Sequence, residues 1–184
     1  MRIISGTLGG RRIHPPTNMP HTRPTTDIAK EGLFNILQNR IDFDGIKILD
    51  LFGGTGCISY ELASRGATDL TIVEKDNAMF AFIKKNITDF KIENAKLLKM
   101  DVFSYLNTCN EQFDFIFAGP PYALGSIDEI PKIIVEKNLI AEDGFFVLEH
   151  TPRNNYEKFK GFSFVRNYGT TLFSFFCPET KEEG

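Results

Sequence analysis

Five short apolar runs, at 46–52, 70–74, 96–99, 113–118 and 144–149, recur along this chain with helical stretches near 57–66, 76–89, 102–108 and 127–138 between them. Parallel strands cannot be joined by tight turns, and a helix is the usual crossover, so this rhythm predicts βαβ units. The expected class is α/β, a doubly wound and mostly parallel sheet with helices on both faces. The runs at 162–168 and 170–176 leave no room for a helix and predict a C-terminal antiparallel hairpin closing the sheet. Ahead of the first strand a helix begins with Thr26 or Asp27 as N-cap, and its apolar face is Ala29, Leu33, Ile36 and Leu37. Residues 1–14 alternate around Gly6, Gly9 and Gly10 and read as a small N-terminal β-hairpin, followed by the stiff connector PPTNMPHTRP. The expected division is a basic hairpin arm with its connector over 1–25 and a main domain over 26–184.

A length of 184 residues and a hydrophobic content of 42% suit one domain with a single sizeable core. No run approaches a membrane span, and MRIISGTLGGRRI has neither the apolar stretch nor the cleavage site of a signal peptide. A cytoplasmic monomer without a membrane partner is expected. Cys57, Cys109 and Cys177 are scattered and odd in number, which argues against a disulfide framework and predicts small core residues. His14, His21 and His150 show no ligand spacing, so no protein-bound metal is expected.

Charge is uneven. Residues 1–40 carry a net +4 and the remainder −7. A basic end on an acidic body is one footprint of a nucleic-acid binder, with Arg2, Arg11 and Arg12 as phosphate contacts. A solvated basic edge without a partner explains the charge equally well.

The stretch ILDLFGGTGCISYELASRGA, 48–67, combines a buried strand, a turn containing Gly53, Gly54 and Gly56, and a helix. That arrangement brings a ligand against backbone amides at a helix N-terminus. Eighteen residues after Gly56 the next strand ends in Glu74, placed to take both ribose hydroxyls of an adenosyl ligand. Charge then separates the ligands. A dinucleotide turn reads GxGxxG and receives pyrophosphate, whereas Asp50 precedes this turn and Ser59 fills the third glycine position. A carboxylate favours a cation, so S-adenosylmethionine, with its ammonium and sulfonium, is preferred to NAD; a packing turn beside a solvated acid is the remaining alternative. Asp101 in KMDVF falls on the same sheet edge, either as acceptor from an adenine amine or as N-cap of the helix from Val102, and by itself the cap is the better reading.

FDFIFAGPPYALG, 113–125, ends a buried strand in Gly119, Pro120, Pro121 and Tyr122. A [D/N]PP[Y/F] motif at this edge serves amine methylation: the prolines fix φ and leave a carbonyl for the substrate, and the aromatic ring stacks on a base swung out of its own stack. The exocyclic amine of a base is a poor nucleophile because its lone pair is delocalised. A side-chain acceptor and the carbonyl together hold its two hydrogens and aim the lone pair at the methyl group. A proline-terminated loop without chemistry is the plainer alternative.

MRIISGTLGGRRI, RPTTD at 23–27 with AKEGLFNIL after it, DLFGGTGCISYELASRGA, PPY at 120–122, LEH at 148–150 and YGTTLFSFF resemble the RsmD family of bacterial 16S ribosomal RNA guanine-N2 methyltransferases over nearly the whole chain. The resemblance implies a Rossmann-like class I methyltransferase domain, S-adenosylmethionine as donor, and 16S rRNA or a small-subunit assembly particle as partner. The implied acceptor is a guanine, position 966 in the usual rRNA numbering. It also implies that Asp50, Gly53, Gly54 and Gly56 form the cofactor turn, that Glu74 holds the ribose, and that Asp101 and Val102 line the adenine side. Arg23, Pro24 and Thr25 would cover the cofactor, and Gly119, Pro120, Pro121 and Tyr122 would form the catalytic loop.

Gly119 departs from the family pattern, which has Asp or Asn there. One acceptor for the target amine is missing, so binding is expected to survive better than turnover. Two other functions stay open: a non-catalytic protein that binds cofactor and rRNA, and a DNA amino-methyltransferase, against which the lack of a separate DNA-recognition domain counts.

Overall fold

The central strands are buried along nearly their whole length in the computed structural model, which describes residues 1–19 and 24–179. The elements run α1 (Asp27–Leu37), β1 (Lys47–Leu51), α2 (Cys57–Ser64), β2 (Asp69–Val73), α3 (Asn77–Asp89), β3 (Ala95–Leu98), α4 (Val102–Thr108), β4 (Phe113–Ala118), α5 (Glu129–Glu136), β5 (Ile140–His150), β6 (Phe162–Tyr168) and β7 (Thr171–Phe176). Seven strands form one sheet in the order β3-β2-β1-β4-β5-β7-β6. β1 to β5 pair in parallel, and β7 runs antiparallel to both β5 and β6. The α/β class, the doubly wound parallel sheet and the closing hairpin are all present.

Each face of the sheet has its own core. Ile48, Phe115, Phe117, Val147, Phe173 and Phe175 pack with residues of α1, α2 and α3; Leu49, Leu51, Ile116, Phe146, Leu148 and Phe176 pack with α4 and α5. Burying one such side chain is worth about 1.5–3 kcal/mol, so strands with two apolar faces hold the sheet firmly. β1 to β3 step away from the centre in one direction and β4 and β5 in the other. The order therefore reverses between β1 and β4, and a crevice opens there at the carboxyl ends of the strands.

Several details differ from the sequence expectation. β5 begins at Ile140 rather than 144, because its pairing with β4 shifts register between Phe113 and Phe115, a bulge carried by Asp143 at φ 62° and Gly144. Turn-forming residues inside a strand hid its first half. On α1, Ile36 is only half-buried, and Lys30 and Phe34 join Ala29, Leu33 and Leu37 in the interior. Cys57 and Cys109 are buried as expected, but Cys177, just past β7, is exposed.

The N-terminal arm folds back on itself with a single bridge, Arg2 to Arg12, rather than as a strand pair. Its ordering comes from α2. Glu61, wholly buried, accepts from the Ile4 and Ser5 amides at 2.8 and 3.1 Å, while Leu8 N–H donates to the Ser64 hydroxyl at 2.9 Å. Lys30, also wholly buried, lies 3.5 Å from the same carboxylate, and Arg65 lies 3.0 Å from it. Ile3 and Ile13 of the arm share the core of α1 and α2. No helix among the described residues is long and apolar enough to cross a membrane.

Candidate active site

Three carboxylates sit in sequence along the carboxyl edge of the sheet, one at or just beyond the end of each of the first three strands. Asp50, in β1, is buried and accepts from the Ser59 hydroxyl at 2.6 Å. Burial raises its pKa from the ordinary aspartate range to about 7, against the pull of that hydrogen bond and with a small push from Glu74. Glu74, one residue beyond β2, accepts the Gly54 N–H at 2.7 Å through one oxygen and the Asp76 N–H at 2.8 Å through the other. Glu74, expected from its spacing to hold a ribose, thus clamps the glycine turn. Asp101 caps α4: its Oδ1 accepts from the amides of Phe103 and Ser104 at 2.9 and 3.2 Å, as the cap reading required. Oδ2 takes no part in the cap and lies 3.9 Å from the exposed Lys75 ammonium. Val102, the first residue of α4, carries an N–H with no partner inside the helix.

The turn between β1 and α2 is shaped for close approach. A Cβ on Gly53 would stand 2.8 Å from Ile72 Cγ2 and 2.9 Å from Ile83 Cδ1, so β2 and α3 pack against bare backbone. Gly56, the N-cap of α2, has φ 78°, which side chains rarely adopt. Just before them Phe52 is held at φ 62°, a costly conformation for a bulky residue and one that clusters at ligand clamps. The donor set fits an adenosyl ligand bearing a cation: a buried acid beside the turn, an acid held by two amides on the next strand, and a capping acid with a spare oxygen on the third.

The fourth strand delivers the Gly119 loop to the same crevice. Gly119 N–H donates to Leu51 O at 3.4 Å, which ties the end of β4 to the end of β1. The Pro121 carbonyl accepts from Leu124 N–H at 3.0 Å and closes a turn. Among the described residues no hydrogen bond uses the Pro120 carbonyl. Pro120 is buried, and Pro121 and Tyr122 are half-buried. The Tyr122 hydroxyl donates to Glu149 Oε1 at 2.9 Å and lies 3.3 Å from the Thr171 hydroxyl, so the ring is anchored from its polar end.

Sequence reasoning missed Glu149 as a site residue, seeing in LEH only a likeness. It is 3% exposed, its Oε2 accepts from the Thr25 hydroxyl at 2.5 Å, and burial raises its pKa. The available signal was an acid ending an apolar strand beside the strand that ends in GPPY. Thr25, expected to cover a cofactor, is tied to β5 through this bond. Arg23 lies outside the described residues. Arg2, Arg11 and Arg12 are exposed and do not join the crevice. The arm tip bonds to the last turn of α2, Thr7 N–H to Ser64 O at 2.8 Å, whereas the glycine turn is at the first; eight residues of helix put about 12 Å between those ends.

Residues 1–177 match the model of a family described as conserved hypothetical protein 95. Ribosomal RNA small subunit methyltransferase D of Buchnera aphidicola (subsp. Acyrthosiphon pisum) is 33% identical over 154 residues, which is 83% of this chain and 79% of that one. Among solved structures, the candidate methyltransferase yhhF from Escherichia coli superposes with a TM-score of 0.84 at 25% identity, covering 98% of this chain and 99% of that one. The Thermus thermophilus 16S rRNA N2 methyltransferase RsmC in complex with AdoMet and guanosine gives 0.66 at 25% identity, covering 84% of this chain and 44% of that one. The chain belongs to the conserved hypothetical protein 95 family, that of ribosomal RNA small subunit methyltransferase D, and has the Rossmann-like methyltransferase fold.

Proposed function

We propose that this chain methylates 16S ribosomal RNA at the exocyclic N2 amine of a guanine, with S-adenosylmethionine as donor. One observation carries the reading: Asp50 near the end of β1, Glu74 just past β2 and Asp101 in the connection from β3 to α4 follow one another along the carboxyl edge, and the Gly119-Pro120-Pro121-Tyr122 loop closes the row at β4. The family and its named relatives supply the substrate class; the RsmC complex holds both donor and guanosine on a related fold.

S-adenosylmethionine, when bound, supplies the methyl group. Asp50 offers a buried anionic partner to an ammonium, and a cation there favours its ionised form. Glu74 already accepts two amides and keeps a lone pair on each oxygen for hydroxyl donors. Asp101 Oδ2 accepts from an adenine amine, and the Val102 N–H donates to a ring nitrogen beside it. Tyr122 presents a ring for an unstacked base, and the Pro120 carbonyl accepts one hydrogen of its amine.

The test is transfer of labelled methyl from S-adenosylmethionine to small-subunit particles lacking the modification, followed by nucleoside analysis. N2-methylguanosine is expected. Label on another base would overturn the guanine assignment, and donor binding without transfer would return the chain to a non-catalytic role.

A further inference from the structure

We infer that Glu149 supplies the acceptor for the target amine that Gly119 lacks. The inference rests on the methyl-transfer reading above. In the pairing of β4 with β5, Ala118 lies beside Leu148, so the next residues, Gly119 and Glu149, are neighbours on the face that also carries Asp50. A Cβ built on Gly119 would stand 3.6 Å from Glu149 Oε2, and 3.1 Å from Phe117 Cε1. A carboxylate oxygen is thus already in contact with the point where the motif side chain would begin.

The arrangement suits an acceptor. A buried carboxylate is costly unless its oxygens are bonded. Glu149 has one donor on each, Thr25 on Oε2 and Tyr122 on Oε1, which fixes its orientation and leaves a further lone pair per oxygen. Tyr122 therefore joins the acceptor to the stacking face in one rigid unit. One N2 hydrogen of the base goes to Glu149 and the other to the Pro120 carbonyl. As the amine lone pair forms the new N–C bond, the C–S bond breaks and its electron pair leaves on sulfur. The nitrogen, now positively charged, gives its proton to the Glu149 carboxylate, which becomes neutral and later releases it to water. Burial, which raises the affinity of this carboxylate for a proton, favours that hand-over.

A carboxylate added at position 119 would start from a Cβ 3.6 Å from the one already there, and two like charges so close cannot both ionise readily. The glycine and the glutamate are thus alternative ways of placing one acceptor, and their effects must be non-additive.

Four proteins test this: wild type, Glu149→Gln, Gly119→Asp and the double variant, each measured for kcat and KM on small-subunit particles and for S-adenosylmethionine dissociation by calorimetry. Glu149→Gln should lower kcat by about 10²–10³ while cofactor affinity, which also certifies folding, moves only a few-fold. Gly119→Asp alone should bring no gain. In the double variant it should restore kcat by about tenfold or more over Glu149→Gln, which a merely structural role in holding Thr25 and Tyr122 would not allow. Full turnover by Glu149→Gln, a large gain from Gly119→Asp in the wild-type background, or a double variant no better than Glu149→Gln would overturn the assignment. A wild-type chain that binds donor and transfers nothing overturns the function it rests on instead.

Discussion

The Ser59 hydroxyl, one turn into α2, donates to Asp50 on β1 at 2.6 Å, and this bond spans the glycine turn that separates the two elements. It holds one carboxylate oxygen in a buried place where ionisation is opposed. Because the folded pKa of about 7 lies above the ordinary aspartate value of 3.8, the stabilisation is fully present below about pH 4 and is lost as pH rises through 7. Unfolding of the ligand-free chain from pH 4 to 8 should therefore show a decline that Asp50→Asn makes shallower, Glu149, also raised by burial, contributing in the same direction. Binding of S-adenosylmethionine should strengthen over the same rise, since a cation prefers the ionised acid. Glu74 is the one charged neighbour that contributes to the shift, so the comparison is cleanest in its presence. Identical pH profiles for both proteins would remove Asp50 from this role.

Glu74→Ala should weaken S-adenosylmethionine binding by about 1–3 kcal/mol, the range for stranding hydrogen-bonded polar partners. It should also loosen the turn, because the Gly54 and Asp76 amides lose their acceptor. Glu74→Gln keeps an oxygen for one amide and should fall between wild type and alanine in both calorimetry and thermal unfolding. Unchanged affinity in the alanine variant would dissociate Glu74 from the ribose.

Glu61→Ala should be among the most destabilising single changes. It leaves the buried Lys30 ammonium facing an empty site and frees the Ile4 and Ser5 amides of the arm. Removing one partner of a buried pair costs about 3–5 kcal/mol, whereas exchanging Lys30 and Glu61 together for apolar residues of similar volume should cost much less. Urea unfolding of the two variants measures the difference. Equal losses would mean that the ion pair is incidental and that the Ile4 and Ser5 amides, stranded in both variants, carry the cost.

What could be read before the structure was whatever a strong local period or a chemically demanding spacing enforces. The strand and helix rhythm from Ile46 to Ala118 carried over with shifts of a residue or two, because the strands inside the sheet are mostly apolar and each crossover is helical. β5 was found only in its second half, since Asp143 and Gly144 carry turn chemistry inside a bulged strand. The placement of Glu74 beside the glycine turn was legible because its distance from the turn is set by one strand, one helix and their connections. The place of Glu149 beside Gly119 was harder to read, because an acid ending an apolar strand is a signal only once β5 is laid beside β4, a pairing between residues about thirty apart. The arm arginines were legible as charge and not as position. Their height on the molecule follows from the Glu61 and Ser64 bonds, which sequence spacing does not announce.

That position makes the last prediction sharper. Arg2, Arg11 and Arg12 are exposed, and Arg11 lies 5.6 Å over the Phe90 ring at the end of α3, away from the cofactor turn. If RNA phosphates run along this flank, each contact releases a counterion, and neutralising all three arginines should lower the magnitude of the slope of log K against log salt by roughly two to three. Replacement by glutamine keeps the side chains long and polar, so the fold should hold, because the arm is fixed by its backbone bonds to α2. Cofactor affinity should stay constant, since about 12 Å of helix separates the two regions. The Arg11→Gln change alone should take about a third of the effect if the three contacts are equivalent. A salt slope equal to that of the wild-type chain would leave the basic arm as a solvated edge and move the RNA path to another face.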